Sequence, residues 1–384
     1  MPLSNNYLSQ GTDQEPLFPL CAFVCKKCLL VQLGQFHAPE EIFSHYAYLS
    51  SYSDSWIAHG KRYVDQMLTK FCINPASFVI EIASNDGYLL QHFQAKKIPV
   101  LGIEPAKNVA QIALQKGIPT LLAFFGREVA LQLQDRKGDL IIGNNVLAHV
   151  PDLHDFIAGL KLLLADKGVI TLEFPHLLQL MKKNQFDTIY HEHFSYFSLL
   201  SLETIFHHHR LDLFNVEELE THGGSLRVYL QHAKGQHSRS SNIALLKERE
   251  IQYGLSQLQG YMNFSHQVAQ VKEKLLSLLS QIERQKKRVV CYGAPAKGNT
   301  LLNYCSLSHK VIPLTVDRNP YKQGKFLPGT YIPIYPVEKI AEIKPDYLLI
   351  LPWNLKEEII EQLSYIRKWG GKFLIPIPEP TIQE

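Results

Sequence analysis

Short apolar runs alternate with helix-length stretches from residue 78 onward. The runs are FVIEIA (78–83), VLGIEP (100–105), DLIIGNN (139–145) and GVITLEFP (168–175). Apolar runs of strand length at this spacing are typical of βαβ units that share a parallel sheet. We therefore predict an open α/β domain in the middle of the chain.

The same pattern returns nearer the C-terminus. The polar segment 232–242 predicts a linker, and residues 243–288 carry apolar positions at helical spacing, which predicts one or two long helices. Strand-like runs then follow at 288–292, 311–317, 347–353 and 372–378. We expect three units, with residues 1–60 as an N-terminal module, 61–235 as the middle domain and 236–384 as a second α/β domain.

Composition narrows the classes of function. The 384 residues are 46% hydrophobic, and a net charge of +3 without a long basic block argues against a nucleic-acid partner. No apolar stretch of about 18 residues occurs, so we expect no membrane span. Six cysteines in a chain of this length do not make a disulfide scaffold, and the first 30 residues lack the pattern of a secretory signal. A cytoplasmic protein fits best.

The first strand-to-helix turn is a candidate ligand loop. Glu81 ends the strand, and Ala83, Asn85 and Gly87 take the three positions where a dinucleotide fingerprint has glycines. Asparagine tolerates positive φ, so the turn stays feasible with one glycine. Glu104 ends the next strand, where a carboxylate binds ribose hydroxyls in such folds.

Polar side chains also follow the third strand, in NNVLAHVPD (144–152). Asn144, Asn145 and His149 are predicted at the carboxyl edge of the sheet, where open α/β folds bind ligands. The alternative is that both asparagines bond only to the turn backbone.

The stretch DTIYHEHFSYFS (187–198) holds Tyr190, His191, Glu192 and His193. It could hold a metal, fill an aromatic core or move a proton. The helical spacing H-E-x-x-H of zinc hydrolases is absent. A third ligand would have to come from elsewhere, for example from the HHH run at 207–209, which we predict on a solvated helix surface.

A second strand-turn-helix begins at residue 288. Tyr292, Lys297, Gly298 and Asn299 lie in or beside its turn, which is not a Walker A loop. A lysine near backbone amides at a helix N-terminus suits a diphosphate, although the loop could equally be a fold element without a ligand. His222 and Arg227, in HGGSLRVY, are candidate substrate contacts or part of a plain strand entry.

Six motifs, taken in order, resemble one family. They are EIASNDGYLL, LGIEP, NNVLAHVPD, DTIYHEHFSYFS, THGGSLRVY and YGAPAKGNTLLNY. The resemblance is to the nucleotide-sugar C-methyltransferases, which use S-adenosyl-L-methionine to methylate C3 of dTDP-4-keto-6-deoxy sugars. It implies an α/β architecture with a central class I methyltransferase domain of Rossmann-like fold, a C-terminal Rossmann-like domain that helps to hold the sugar nucleotide, and a small N-terminal zinc-binding module.

The resemblance also implies roles for particular residues. The adenosylmethionine site would comprise Glu81, Ala83, Asn85, Gly87 and Glu104, with Phe124 and Phe125 near adenosine and Asn144 and Asn145 near methionine. The base would be His193, supported by Tyr190 and Glu192, with His149 and Tyr46 near the sugar. Methylating a sugar carbon needs a base for the C–H proton and a donor for the enolate oxygen, tasks that suit histidine and tyrosine. Glu192 could orient a histidine.

The N-terminal module departs from the family pattern. Only one CxxC pair, Cys25 and Cys28, is present, whereas a tetrahedral structural zinc needs four ligands. Cys21 and His37 could complete a substitute set, or the thiols could be reduced and partly buried. We therefore expect an incomplete zinc site.

Two other classes stay open at this point. Two Rossmann-like loops are compatible with an NAD(P)-dependent oxidoreductase of nucleotide sugars, and a non-catalytic sugar-nucleotide-binding homologue would keep the same motifs. We expect a monomer or a small homo-oligomer that binds a nucleotide sugar.

Overall fold

The computed structural model describes residues 1–11, 14–36, 38, 43 and 49–384. Three sheets organise these residues. The strands are β1 (Ala22–Val24), β2 (Val31–Leu33), β3 (Val79–Ile82), β4 (Val100–Ile103), β5 (Thr120–Leu121), β6 (Gly138–Asn144), β7 (Leu164–Pro175), β8 (Ser195–Tyr196), β9 (Leu211–Leu219), β10 (Ser225–His232), β11 (Val289–Tyr292), β12 (Thr315–Val316), β13 (Ile334–Tyr335), β14 (Tyr347–Ile350), β15 (Lys372–Ile375) and β16 (Thr381–Gln383).

The helices fall between these strands. They are α1 (Asp54–Phe71), α2 (Leu90–Gln94), α3 (Lys107–Gln115), α4 (Arg127–Gln132), α5 (Leu153–Leu163), α6 (Leu177–Lys182), α7 (Leu199–His208), α8 (Ser241–Tyr253), α9 (Leu258–Met262), α10 (Phe264–Arg284), α11 (Ala296–Tyr304), α12 (Lys339–Ile343) and α13 (Lys356–Gln362). Among the described residues, no helix combines the length and the apolar character needed to span a bilayer.

The middle sheet has seven strands in the order β5-β4-β3-β6-β7-β10-β9. Strands β3 to β7 are parallel, and β10 inserts antiparallel between β7 and β9. The strand order reverses at β3, so its carboxyl end opens a crevice toward β6. The predicted parallel sheet is confirmed, but the antiparallel β9–β10 pair was missed, because the polar residues that alternate along β9 weaken its apolar signal.

The C-terminal sheet repeats the design with β13-β12-β11-β14-β15-β16, where only β16 is antiparallel. Its switch point lies at the carboxyl end of β11. The linker is confirmed, since residues 233–240 carry no helix or strand. The predicted long helices are α8 and α10, separated by the short α9, because Gly254 ends α8 at φ 103°.

The smallest sheet joins the N-terminal hairpin to the middle of the chain. Strand β2 pairs with β1 and with β8, so that Val31 lies opposite Tyr196. Main-chain pairing therefore fixes the segment just before β8, which contains residues 190–194, against the N-terminal module.

A buried carboxylate links three helices around this region. Glu250 of α8 accepts hydrogen bonds from Nε2 of His176 at 2.7 Å and from the N–H groups of Leu199 and Leu200 at 2.7 and 3.0 Å. All of its side chain is buried. It therefore satisfies the free N–H groups at the start of α7, as a capping residue would.

We expect Glu250→Ala to lower the free energy of unfolding by about 3 kcal/mol, because it leaves buried donors without an acceptor. The shift of the urea midpoint at pH 7 measures this loss. The matched control is Glu248→Ala on the exposed face of the same helix, which should change stability by less than about 0.5 kcal/mol. Equal midpoints for the two variants would contradict the assignment.

Candidate active site

The candidate site lies where the carboxyl ends of β3, β6 and β7 meet the 187–194 segment and the turn after β11. Each expected residue can be placed except Tyr46, which lies outside the described residues.

The turn after β3 has the left-handed backbone that the glycine-poor motif requires. Ala83, Asn85 and Gly87 have φ values of 55°, 51° and 75°. The Glu104 carboxylate accepts the N–H groups of Asn85 and Ala106, each at 2.9 Å. Glu104 thus fixes the turn that faces the crevice, in addition to any contact with a ligand.

Buried polar atoms face this crevice without partners. Oε2 of Glu81, Oδ1 of Asn144 and Oδ1 of Asn145 accept no hydrogen bond within the described part of the chain. Burial, and then the charges of Glu104 and Asp86, raise the pKa of Glu81 well above its usual range. A cationic ligand with amine donors would satisfy these groups. The residues present therefore fit S-adenosylmethionine, whose sulfonium and amino groups carry positive charge.

The two phenylalanines expected near adenosine differ in exposure. Phe124, which follows β5, is 37% exposed and offers an open aromatic face. Phe125 packs edge-on against Phe156 with ring centroids 5.4 Å apart. Phe124 is therefore the better placed of the two to stack on a base, whereas Phe125 contributes to the hydrophobic core.

A buried ion cluster supports the far side of the site. The Glu173 carboxylate accepts hydrogen bonds from Arg227 (2.7 Å), His59 (3.1 Å) and the Thr221 hydroxyl (3.0 Å). Burial alone would raise the pKa of Glu173, but His59 and Arg227 outweigh it and lower the pKa to about 2. The Arg227 side chain, expected to face the substrate, is 2% exposed and lies in this ion pair.

His222 lies in the turn that Thr221 anchors, with φ 53°. Its Nε2 is 3.3 Å from Nδ2 of Asn145. Because an amide nitrogen only donates, this Nε2 accepts the hydrogen bond and the ring is neutral. Burial, and then the charge of Lys297, lower the pKa of His222 to about 4. The contact connects an expected cofactor residue with an expected substrate residue.

His193 is oriented by a main-chain carbonyl. Its Nδ1 lies 2.8 Å from the Thr188 oxygen, which can only accept, so Nδ1 carries the proton and Nε2 keeps its lone pair. The ring centroid lies 4.1 Å from that of Tyr190 and 4.8 Å from that of His149. Burial and the neighbouring His149 hold the pKa of His193 well below its usual range, opposed by the bond to Thr188.

His149 is also oriented by a main-chain carbonyl. Its Nδ1 donates to the main-chain carbonyl of Glu192 at 2.8 Å, and burial lowers its pKa to about 4. The Glu192 carboxylate instead accepts both of its hydrogen bonds from the Asn5 side chain, at 2.7 and 2.8 Å. We expected the Glu192 carboxylate to orient a histidine. In the structure the main-chain carbonyl of Glu192 orients His149, and the carboxylate bonds to Asn5 instead.

The turn after β11 brings a cation to the same region. Nζ of Lys297 bonds to the Asn354 side chain and lies 4.3 Å from the centre of the Trp353 ring. Asp187 accepts the Trp353 indole N–H at 2.7 Å. Burial lowers the pKa of Lys297 to about 8, although the charge of Asp187 opposes the shift.

The other expected residues of this turn are more buried. Tyr292 ends β11 with 5% exposure, and Gly298 lies so close to Leu351 that an added Cβ would come within 2.9 Å of its Cβ. Asn299 donates to the Ser4 carbonyl at 2.6 Å, while its Oδ1 has no partner in the described part of the chain.

Sequence reasoning missed Asn5, Asp187, Trp353 and Asn354. Asp187 opens the singled-out stretch at 187–198, so its position was a usable signal. The other three lie more than 150 residues away from that stretch in sequence, and only the folded chain brings them to it.

The metal alternatives for this region gain no support. His191 Nε2 lies 3.1 Å from the Pro19 carbonyl, and His193 bonds to Thr188. Across the described ranges, neither histidine nor Cys25 nor Cys28 belongs to a group of three possible ligands. The two thiols lie in the β1–β2 turn, and His37 is outside the described residues, so the described residues of the N-terminal module do not bring three possible zinc ligands together.

Glu192 should make stability depend on pH. Burial raises its pKa from 4.5 to about 7, although Asn5 and Lys322 oppose the shift. The folded chain therefore holds the Glu192 proton more tightly than the unfolded chain does. This contribution to the free energy of unfolding is fully present below about pH 4.5, and it is lost as the pH rises to about 7. Glutamine cannot lose this proton. As the pH rises between these values, we therefore expect the free energy of unfolding of Glu192→Gln to increase by at most ~3 kcal/mol relative to that of wild type, as measured by urea unfolding at a series of pH values. A difference in stability between variant and wild type that does not vary with pH would contradict this.

Comparisons with known proteins cover nearly the whole chain. Family models match residues 56–216 as a methyltransferase domain and 220–378 as a C-methyltransferase C-terminal domain, and a third, for a domain thought to bind zinc, matches 1–43. The C-methyltransferase NovU of Streptomyces niveus is 38% identical over 99% of this chain and 92% of its own length.

Solved structures give weaker matches. A S-adenosylmethionine-dependent methyltransferase from Clostridium acetobutylicum aligns with a TM-score of 0.36 at 11% identity, over 45% of this chain and 90% of its own. The magnesium protoporphyrin IX methyltransferase of Synechocystis aligns with a TM-score of 0.37 at 16% identity, over 46% and 83%. The match to NovU along the full chain removes the basis for the oxidoreductase alternative. The chain belongs to the S-adenosylmethionine-dependent C-methyltransferase family.

Proposed function

We propose that this enzyme methylates C3 of an NDP-4-keto-6-deoxyhexose, with His193 as the base, in the formation of a branched deoxysugar. The observation that carries the proposal is the orientation of His193. A neutral imidazole is fixed by the Thr188 carbonyl so that Nε2 presents its lone pair beside Tyr190 and His149.

The chemistry requires such a base. A saturated sugar carbon is not nucleophilic, so its C–H bond must be broken before it can accept a methyl group. A neighbouring ketone acidifies that bond, because the electron pair can move onto the ketone oxygen. In the proposed step, Nε2 of His193 takes the C3 proton, and the C–H electron pair forms the enolate. Bound S-adenosylmethionine supplies an electrophilic methyl group on a sulfonium.

The neighbours of His193 take complementary roles in this proposal. The Tyr190 hydroxyl donates to the enolate oxygen, which lowers the barrier because charge develops there in the transition state. His149 keeps Nε2 as an acceptor, since its Nδ1–H is used by the Glu192 carbonyl. It therefore suits a sugar hydroxyl better than an oxyanion.

The nucleotide half of the substrate is assigned to the C-terminal domain, residues 236–384. Lys297 supplies a cation at the N-terminus of α11, where backbone amides also favour a diphosphate. His222 offers a further polar contact beside it, whereas Oδ1 of Asn299 can only accept and would bind a donor group of the nucleotide, not a phosphate oxygen. A dTDP carrier is the form that the family resemblance favours.

We expect His193→Asn to slow both deuterium exchange at C3 and methyl transfer by about 100-fold or more, as loss of a general base does. The substrate is a dTDP-4-keto-6-deoxyhexose, and NMR and mass spectrometry follow the two reactions. Asparagine retains a donor for the Thr188 carbonyl but has no basic nitrogen.

Two controls separate chemistry from folding. His191→Asn alters the same segment but leaves the base in place, so it should keep most of the activity. Calorimetry should give His193→Asn an affinity for adenosylmethionine within about twofold of wild type, an energy difference under about 0.5 kcal/mol. Wild-type exchange and transfer in His193→Asn would refute the assignment of the base.

Lys297→Ala should raise the dissociation constant of the sugar nucleotide about 10- to 100-fold, because a charge-assisted phosphate contact is lost. Since the pKa of Lys297 is about 8, the wild-type affinity should also fall as the pH rises above 8, and the variant should lack that fall. Exposed Lys310→Ala is the control. Unchanged binding in Lys297→Ala would place the diphosphate elsewhere.

A further inference from the structure

The histidine run at 207–209 acquires a partner that its sequence does not suggest. His208 ends α7 and His209 follows it, while His154 comes from the first turn of α5. Nδ1 of His154 lies 2.9 Å from Nε2 of His209. The three ring centroids are 5.1 to 5.2 Å apart in every pairing.

We propose that His154, His208 and His209 bind a divalent transition-metal cation of the zinc class. One nitrogen from each ring can be chosen so that all three lie within 4.8 Å of one another. Zinc–nitrogen bonds of about 2.0–2.1 Å in a tetrahedral site bring ligand nitrogens to roughly 3.3 Å from one another. Small rotations of two exposed side chains close that difference.

The chemistry of the ligands selects the class of metal. Three imidazoles without a carboxylate or thiolate suit zinc, nickel or copper ions and disfavour magnesium or calcium, which prefer oxygen. Three protein ligands leave the fourth position to water. His208 and His209 also lie at the C-terminal end of α7, where the helix dipole favours a cation.

One neighbouring group opposes a bound cation. Lys161 adds a repelling positive charge from α5. A bound cation would connect α5, which follows the segment that carries His149, to the end of α7.

The test uses tag-free protein in which Cys25 and Cys28 are both serine, so that thiolates cannot bind the metal. Calorimetry with Zn²⁺ should give one equivalent bound at micromolar affinity, weakened at least tenfold in His154→Asn and in His208→Asn. Exposed His207→Asn, in the same helical turn, should bind as the parent does. Zn²⁺ should raise the melting temperature of the parent and of His207→Asn only.

Cobalt spectra identify the ligands independently of affinity. Co²⁺ in the full chain with both cysteines should give d–d bands of tetrahedral nitrogen coordination that persist in the double serine variant. His154→Asn should lose these bands. Equal, millimolar binding in all variants, or bands that vanish only with the cysteines, would overturn the site. Because no substrate is involved, the outcome is separate from that of the proposed reaction.

Discussion

The buried carboxylate of Glu173 holds together the chain segments that form the candidate site. Glu173 lies at the carboxyl end of β7, where its side chain is fully buried and hydrogen-bonded to His59, Arg227 and Thr221. Its main-chain carbonyl accepts the N–H of Asn145 at 2.7 Å. Removing Arg227 would leave the Glu173 carboxylate as an uncompensated charge in a low-dielectric interior. The cluster therefore fixes the Asn145 turn, the His222 turn and helix α1 as one unit.

The front of the site depends on chain segments that are remote in sequence. The N-terminal residues contribute Asn5 to the Glu192 carboxylate, and strand β2 pairs with the backbone just after His193. The C-terminal domain contributes Trp353 to Asp187. Each contact buries a polar group of the 187–194 segment with a partner, and buried polar groups without partners are costly. The position of His193 therefore depends on all three parts of the chain.

The sequence predicted what local patterns encode. Apolar runs located most parallel strands, and the turn positions at Ala83, Asn85 and Gly87 identified a loop whose three left-handed residues the structure contains. Patterns could not predict contacts across long separations. Arg227 was a candidate substrate contact, yet strand β10 carries it into the interior opposite Glu173. Glu192 looked like a partner of histidine, but its carboxylate turns toward Asn5, which no spacing rule connects with it.

The orientation of His193 indicates how this residue would act as the base in the proposed reaction. A carboxylate behind an imidazole would raise its basicity, whereas a neutral carbonyl fixes the ring and adds little charge. Burial and His149 lower the pKa of His193 further. In the proposed reaction, a base with a lowered pKa would therefore act less through proton affinity than through placement. A lone pair held beside the carbon that loses its proton avoids the entropy loss of a bimolecular encounter. The downward shift also favours the neutral form of the ring, which is the form that the proposed step requires.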